Sequence, residues 1–284
     1  MKLGLQTYSL HLAFGKHPDC KHHPEKLKIS LEDSIEKAAG WGFSTLQIDP
    51  VHLNNKSAAY GAKIAKLAKD RGITLELGIG GFHYDTLMEQ LHIAEAMDAD
   101  FVRIFADTGE RDNTPESIKE ALNYIARNVE KALPFLEQAK IVLGWENHGD
   151  FSTDEQISVL SKISHPQFRS CIDVGNAICF LEKPLETVEK LAPWAGGVHF
   201  KDYNVSSATF GIKFFGTALG TGILPLKEIV TIIRNRTQLD HLIYEQSIQP
   251  VSDNPEESIW FESRTIEKSI RYAVDYLNLE IGKN

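Results

Sequence analysis

The stretch KIVLGWENHGDFSTDEQISVLSKI, residues 140–163, holds one complete strand–turn–helix unit. The run from Ile141 to Trp145 is apolar and short, as a strand buried in a parallel sheet is. It stops on Glu146, Asn147, His148 and Gly149. Ser152, with Glu155 three residues later, makes a capping box, in which each side chain takes a free backbone N–H at the helix start. A buried strand therefore ends on a carboxylate and an imidazole just where the chain turns into a helix.

Working outward, the unit recurs. Strand-like runs lie at 2–8, 43–49, 73–79, 101–107, 140–147, 169–175, 196–202 and 241–247. Helix-like segments follow each, among them TPESIKEALNYIARNVEKALPFLEQA with Thr114 as N-cap and Pro115 at the first helical position. Eight pairs in 284 residues give about 36 residues per unit, which suits an α/β chain folded as a single (β/α)8 TIM barrel over residues 1–284. A doubly wound sheet would alternate similarly, but no Gly-rich dinucleotide fingerprint follows the first strand. Two connections, 9–30 and 203–222, exceed the need of a tight turn. Both follow strands, so both are expected at the C-terminal mouth of the barrel, where such folds carry their sites.

Apolar residues make up 42% of the chain, enough for a large core, and the net charge is -9. An acidic chain lacks the basic face that gripping nucleic acid requires. Cys20, Cys171 and Cys179 are an odd number without a CxxC, so no disulfide framework or thiolate zinc site is expected. MKLGLQTYSL has too short an apolar run for a signal peptide, and no stretch approaches a membrane span. The expectation is a cytoplasmic protein with a small-molecule partner and no nucleic-acid or membrane partner; a homo-oligomer is compatible with it.

Four polar residues stand at the ends of consecutive strands. They are Glu146 on the fifth, Asp173 on the sixth, His199 on the seventh and Glu245 on the eighth. Side chains alternate along a strand. Glu146 shares its face with Gly144, Asp173 with Cys171, and Glu245 with Ile243, so each can point into the barrel. Three carboxylates gathered in a low-dielectric pocket repel unless one protonates or a cation joins them. Three oxygen donors and one imidazole suit one divalent ion, Mn²⁺, Mg²⁺, Co²⁺ or Zn²⁺.

The motifs WENHG (145–149), IDVGN (172–176), VHFKD (198–202) and YEQ (244–246) resemble those of the xylose-isomerase-like TIM barrels. That family includes ketose 3-epimerases, inosose dehydratases and hydroxypyruvate isomerases. The resemblance covers nearly the whole chain. It implies that Glu146, Asp173, His199 and Glu245 bind one divalent metal. It also implies proton abstraction beside a carbonyl, with Glu146 and Glu245 serving as acid and base, in a sugar isomerase or epimerase. The alternative on the same metal is a dehydratase of the inosose or 3-dehydroshikimate type. A carbohydrate-binding barrel without catalysis would not keep three costly carboxylates together. The related apurinic-site endonucleases carry extra histidines where this chain has Arg103 and Asn176, which argues against DNA repair.

Asn147, His148, Asn176 and Lys201 are the candidate contacts to a sugar or polyol-derived ketone. For His148 the competing reading is a cap; for Lys201 it is an ion pair with Asp202; for Asn176 it is a turn or a role orienting Asp173. Gln47 and Glu76 read as interior packing ahead of hydroxyl contacts. GTALGTG (216–222) matches a phosphate cradle only in its glycines. His17, His22 and His23 read as a solvated loop ahead of a second metal site, and Trp260 and Phe261 as pocket wall, core or subunit contact.

Overall fold

The computed structural model describes residues 1–18, 23–106 and 112–282. Strands β1 (Lys2–Gln6), β2 (Thr45–Ile48), β3 (Thr74–Gly80), β4 (Phe101–Phe105), β5 (Val142–Glu146), β6 (Phe168–Asp173) and β7 (Ala195–Phe200) run parallel in chain order. A hairpin, β8 (Asp202–Ser207) with β9 (Ile212–Thr217), comes next. Then β10 (His241–Tyr244) pairs with both β7 and β1 and closes an eight-stranded barrel. The helices are α1 (Leu31–Gly40), α2 (Ala58–Asp70), α3 (Tyr84–Ala96), α4 (Pro115–Ala139), α5 (Thr153–Ile163), α6 (Pro184–Leu191), α7 (Leu226–Arg236) and α8 (Pro255–Leu277). The architecture is the (β/α)8 barrel expected from the alternation.

Local chemistry sets the helix starts. At α5 the Ser152 N–H donates to Glu155 Oε2 at 2.8 Å, while Ser152 Oγ accepts from the Glu155 N–H at 3.4 Å. Ser30 and Asp33 make the same box at α1. Thr114 caps α4 with Pro115 behind it. Each such cap contributes about 1 kcal/mol.

The alternation along the strands separates two cores. Leu143 and Trp145 point out, and Trp145 meets the rings of Phe82, Phe151 and Phe168 beneath the helices. Gly144 and Gly197 point in. A Cβ at either would stand 2.3 or 2.5 Å from Cζ of Phe101, so both must be glycine for that ring to plug the barrel below the mouth.

The connection at 203–222 is not a structureless loop, because β8 and β9 build it into the antiparallel hairpin. The 9–30 connection is tied down by Glu262 of α8, whose Oε1 and Oε2 accept the N–H groups of Leu12 and Ala13 at 2.7 and 3.1 Å. His17 and Pro18 from the first connection, with Tyr203, Phe214 and Phe215 from the second, line a cavity of about 300 Å³ that Asn176 also lines. No described helix is long and apolar enough to cross a membrane. Cys171 and Cys179 are free thiols, and Cys20 and His22 lie outside the described residues.

Candidate active site

The structure brings the four strand-end residues together. One ligand atom from each of Glu146, Asp173, His199 and Glu245 lies within 4.8 Å of the others, and all four residues are buried. Among the described residues no other group of three or more His, Cys, Asp or Glu side chains gathers in this way.

Backbone and neighbours aim each one. Asp173 Oδ1 accepts the N–H groups of Gly175 and Asn176, both at 2.8 Å, which leaves Oδ2 toward the site. Glu245 follows β10 directly, and its N–H donates to the Phe200 carbonyl at 3.1 Å. The next residue, Gln246, is anchored through Ser9 and the Tyr244 hydroxyl. The His199 Nδ1 lies 2.9 Å from Glu245 Oε2, 3.2 Å from Glu146 Oε1 and 4.0 Å from Asp173 Oδ2.

Two buried cations stand beside the quartet. Lys201 Nζ is 2.7 Å from Asp173 Oδ2 and 2.9 Å from Glu245 Oε2. Arg103 Nε is 3.1 Å from Glu146 Oε2, and its Nη2 is 3.4 Å from Asp49 Oδ2. These are ion-pair distances without aligned hydrogen bonds at three of the oxygens. Glu146 Oε2, Asp173 Oδ2 and Glu245 Oε2 each lack an aligned donor. A histidine binds a metal as the neutral imidazole, and with His199 in that form and the four carboxylates ionised the set carries two more negative charges than Lys201 and Arg103 supply positive ones. A divalent cation cancels that excess and satisfies the three oxygens, so the donor set fits one.

The electrostatics follow from the same contacts. Burial raises the pKa of Glu146, but Arg103 and then His199 outweigh it and hold the carboxyl well below its usual range. Burial likewise opposes charge on His199, yet Cys171 and Glu146 push its pKa well above the usual imidazole value. Lys201 is pushed up by Asp173 and Glu245 against its burial.

The other candidate residues fall out differently. Asn176 lies between quartet and cavity: its Nδ2 donates to Glu146 Oε1 at 3.4 Å and its Oδ1 accepts from the Tyr203 hydroxyl at 3.3 Å. His148 stands at the mouth with its side chain 48% exposed, its ring 4.9 Å from that of Phe105. Asn147 departs from the expected substrate contact. Its Nδ2 donates to the Asp173 carbonyl at 2.9 Å and its Oδ1 accepts the Asp173 N–H at 2.8 Å, so it splints β5 to β6 and positions Asp173. Lys201 does not pair with Asp202. Asp202 instead accepts the N–H groups of Gly220, Gly222 and Leu224, which occupies the turn that resembled a phosphate cradle. Trp260 is 64% exposed on α8 and is not core.

Arg103 and Asp49 were not foreseen as part of the site, and Gln47 was read as interior packing ahead of a hydroxyl contact, not as a partner of His199. Gln47 Oε1 lies 2.6 Å from His199 Nε2. The alternation of β2 and β4 places Gln47 and Arg103 inside, but their partners lie on other strands, Glu146 on the neighbouring β5 and His199 across the barrel on β7.

Comparison with known proteins agrees with the geometry. Residues 35–265 match the xylose isomerase-like TIM barrel family. The chain belongs to that family. It is 29% identical over 275 residues to a 3-oxo-isoapionate decarboxylase of Pectobacterium atrosepticum, covering 96% of this chain and 94% of the relative. Among solved structures it is similar to a D-psicose 3-epimerase, at a TM-score of 0.73 and 16% identity over 98% of this chain and 99% of the other. It is also similar to an IolI protein with a bound zinc atom, at a TM-score of 0.72 and 13% identity over 98% of each chain. The two structural likenesses carry the fold alone.

Proposed function

We propose that this protein is a divalent-metal-dependent enzyme that forms and re-protonates the enediolate of a small sugar- or polyol-derived ketone, as an isomerase or epimerase. The observation that supports it is the buried quartet, three carboxylates and an imidazole whose ligand atoms lie within 4.8 Å of one another. Bound there, a divalent cation supplies Lewis acidity that polarises the ketone and stabilises the enediolate. Glu146 and Glu245 stand on β5 and after β10, with β6 and β7 between them. From there they flank the substrate, one taking the α-proton and the other returning it on the opposite face. Asp173 and His199 complete the ligand set. Lys201 turns from the carboxylates to a substrate oxygen. Tyr8, Tyr203, Phe214 and Phe215 offer flat apolar faces to a sugar in the adjoining cavity, and His148 offers the substrate a hydrogen bond at the mouth.

A second reading is a lyase on the same site. It is favoured by the full-length likeness to a decarboxylase and by the Arg103–Glu146 contact at 3.1 Å, which makes Glu146 a weak base. Loss of CO₂ from a 2-hydroxy-3-oxo acid sends the C1–C2 electron pair toward the ketone oxygen and gives an enediolate without a base. Only re-protonation is then left to the protein.

Incubation with ketoses, inososes and 3-oxo sugar acids in D₂O with Mn²⁺ separates the two. Deuterium at the carbon beside the carbonyl without CO₂ release supports the isomerase. Release of CO₂ or water supports the lyase. No exchange and no product with any substrate and any of the four metals would sink the enzyme reading.

A further inference from the structure

A chain of polar side chains runs through the barrel interior from the quartet to the opposite end. His199 Nε2 lies 2.6 Å from Gln47 Oε1. Gln47 Nε2 donates to Glu76 Oε2 at 2.8 Å. Glu76 Oε1 is 2.7 Å from His241 Nε2, and His241 Nδ1 is 2.7 Å from Asp240 Oδ1. Gln47 and Glu76 are register partners on β2 and β3. His241 opens β10, so the chain emerges at the N-terminal end of the barrel, where the Asp240 side chain is 87% exposed. Gln47, Glu76 and His199 are buried, and the sugar chemistry at the mouth uses neither Gln47 nor Glu76.

The direction of each bond follows from what each group can do. A carboxylate only accepts, so Gln47 must turn its NH₂ to Glu76 and its oxygen to His199. An amide oxygen only accepts, so the proton of a neutral His199 must sit on Nε2. Its lone pair is then on Nδ1, the atom 2.9 Å from Glu245 Oε2. At the far end a carboxylate faces each nitrogen of His241, which suits an imidazolium. Burial lowers the pKa of His241, but its bonds to Glu76 and Asp240 outweigh that and raise it to about 9.

We propose that Gln47, Glu76 and His241 form a relay that locks His199 with Nδ1 toward the metal position, with Gln47 as the positioning residue. Partners of this kind fix the tautomer of a ligating histidine and raise its basicity, and their loss typically weakens metal affinity 10- to 100-fold. Here the amide of Gln47 passes the influence of a carboxylate on to the ligand, and that carboxylate is steered from the far end of the barrel. The relay rests on the reading of the quartet as a metal centre.

The test uses Co²⁺, titrated into the purified full chain and read by its visible d–d absorption and by chelator competition. Gln47→Leu should bind Co²⁺ roughly 10- to 100-fold more weakly and with an altered spectrum. Gln47→Glu sets two carboxylates face to face and should weaken binding in the same direction. Combining Gln47→Glu with Glu76→Gln restores every donor–acceptor pairing, with only the bond between positions 47 and 76 reversed in direction. That double variant should recover affinity to within a few-fold, which a mere packing role would not predict. Unchanged affinity and spectrum in Gln47→Leu and Gln47→Glu would overturn the relay, as would a double variant no better than Gln47→Glu. Should Gln47→Leu not fold, the other two variants decide. No Co²⁺ binding by the unsubstituted protein would overturn the metal reading and the relay with it. Normal binding there beside unchanged variants would overturn the relay alone.

Discussion

Replacing Lys201 with methionine should tighten metal binding while weakening the metal-free fold. The Nζ of Lys201 lies 2.7 Å from Asp173 Oδ2 and 2.9 Å from Glu245 Oε2. A cation bonded to the second of those oxygens at about 2.1 Å would stand at most about 5 Å from Nζ. At an effective dielectric of about 20, single and double positive charges that far apart repel by roughly 7 kcal/mol. Movement of the lysine toward the mouth relieves most of this, and a residue of about 1.4 kcal/mol already makes a tenfold change in Kd. Without metal, the same ammonium compensates two buried carboxylates, and removing one partner of such a set costs about 3–5 kcal/mol. At about 2.1 cal/mol/K per residue, that lowers Tm by roughly 5–8 °C for a chain of 284 residues. Calorimetric titration with Mn²⁺ and melting curves with and without it give both quantities. Kd should fall at least about tenfold, the metal-free Tm should drop, and the gap between the two melts should widen. A Kd unchanged or raised in a folded Lys201→Met variant would mean that lysine and metal do not compete for these oxygens.

Other outcomes follow from the same contacts. Glu146→Gln and Glu245→Gln, each at saturating Mn²⁺, should stay about 10²–10⁴-fold slower, since lost proton transfer is not restored by metal. Full rescue of both would refute the two-carboxylate mechanism and leave the lyase reading. His148→Ala should keep its Mn²⁺ affinity and lose substrate affinity or rate; an equal loss of metal affinity would place His148 among the ligands. His241 has its folded pKa raised to about 9 from the usual 6.5. Its contribution to stability is therefore complete below about pH 6.5 and lost as pH rises through about 9. Melting curves across that window should slope downward in the unsubstituted protein and flatten in His241→Gln; equal slopes would contradict the assignment.

The parts of the fold that the sequence displays are those set by local rules. The βα alternation, the Ser152–Glu155 box and the Thr114–Pro115 start mark elements whose bonds close within a few residues. The quartet was legible because strand alternation and strand ends both act within one segment. The same alternation, applied strictly, turns Asn147 away from the face of Glu146, and the structure spends it on the Asp173 backbone. It also puts Asp202 on the face opposite Lys201, which removes the local ion pair. What one segment cannot display is contact across the closed barrel. Gln47 with His199 joins β2 to β7, residues 152 positions apart that meet only because eight strands close a ring, while Arg103 with Glu146 joins the neighbouring strands β4 and β5, a pairing no single segment displays. The hairpin of β8 and β9 was missed for a different reason. DYNVSS and IKFFGT carry little alternation, because most of the hairpin is exposed on both faces.

The central claim is that the four strand ends hold one divalent ion. Anomalous diffraction from crystals soaked in Mn²⁺ tests it most directly. The account predicts one peak bounded by Glu146, Asp173, the Nδ1 atom of His199 and Glu245, at about 2.0–2.4 Å from the donor atoms. A peak elsewhere, or none in crystals whose solution counterpart binds Mn²⁺, would contradict it.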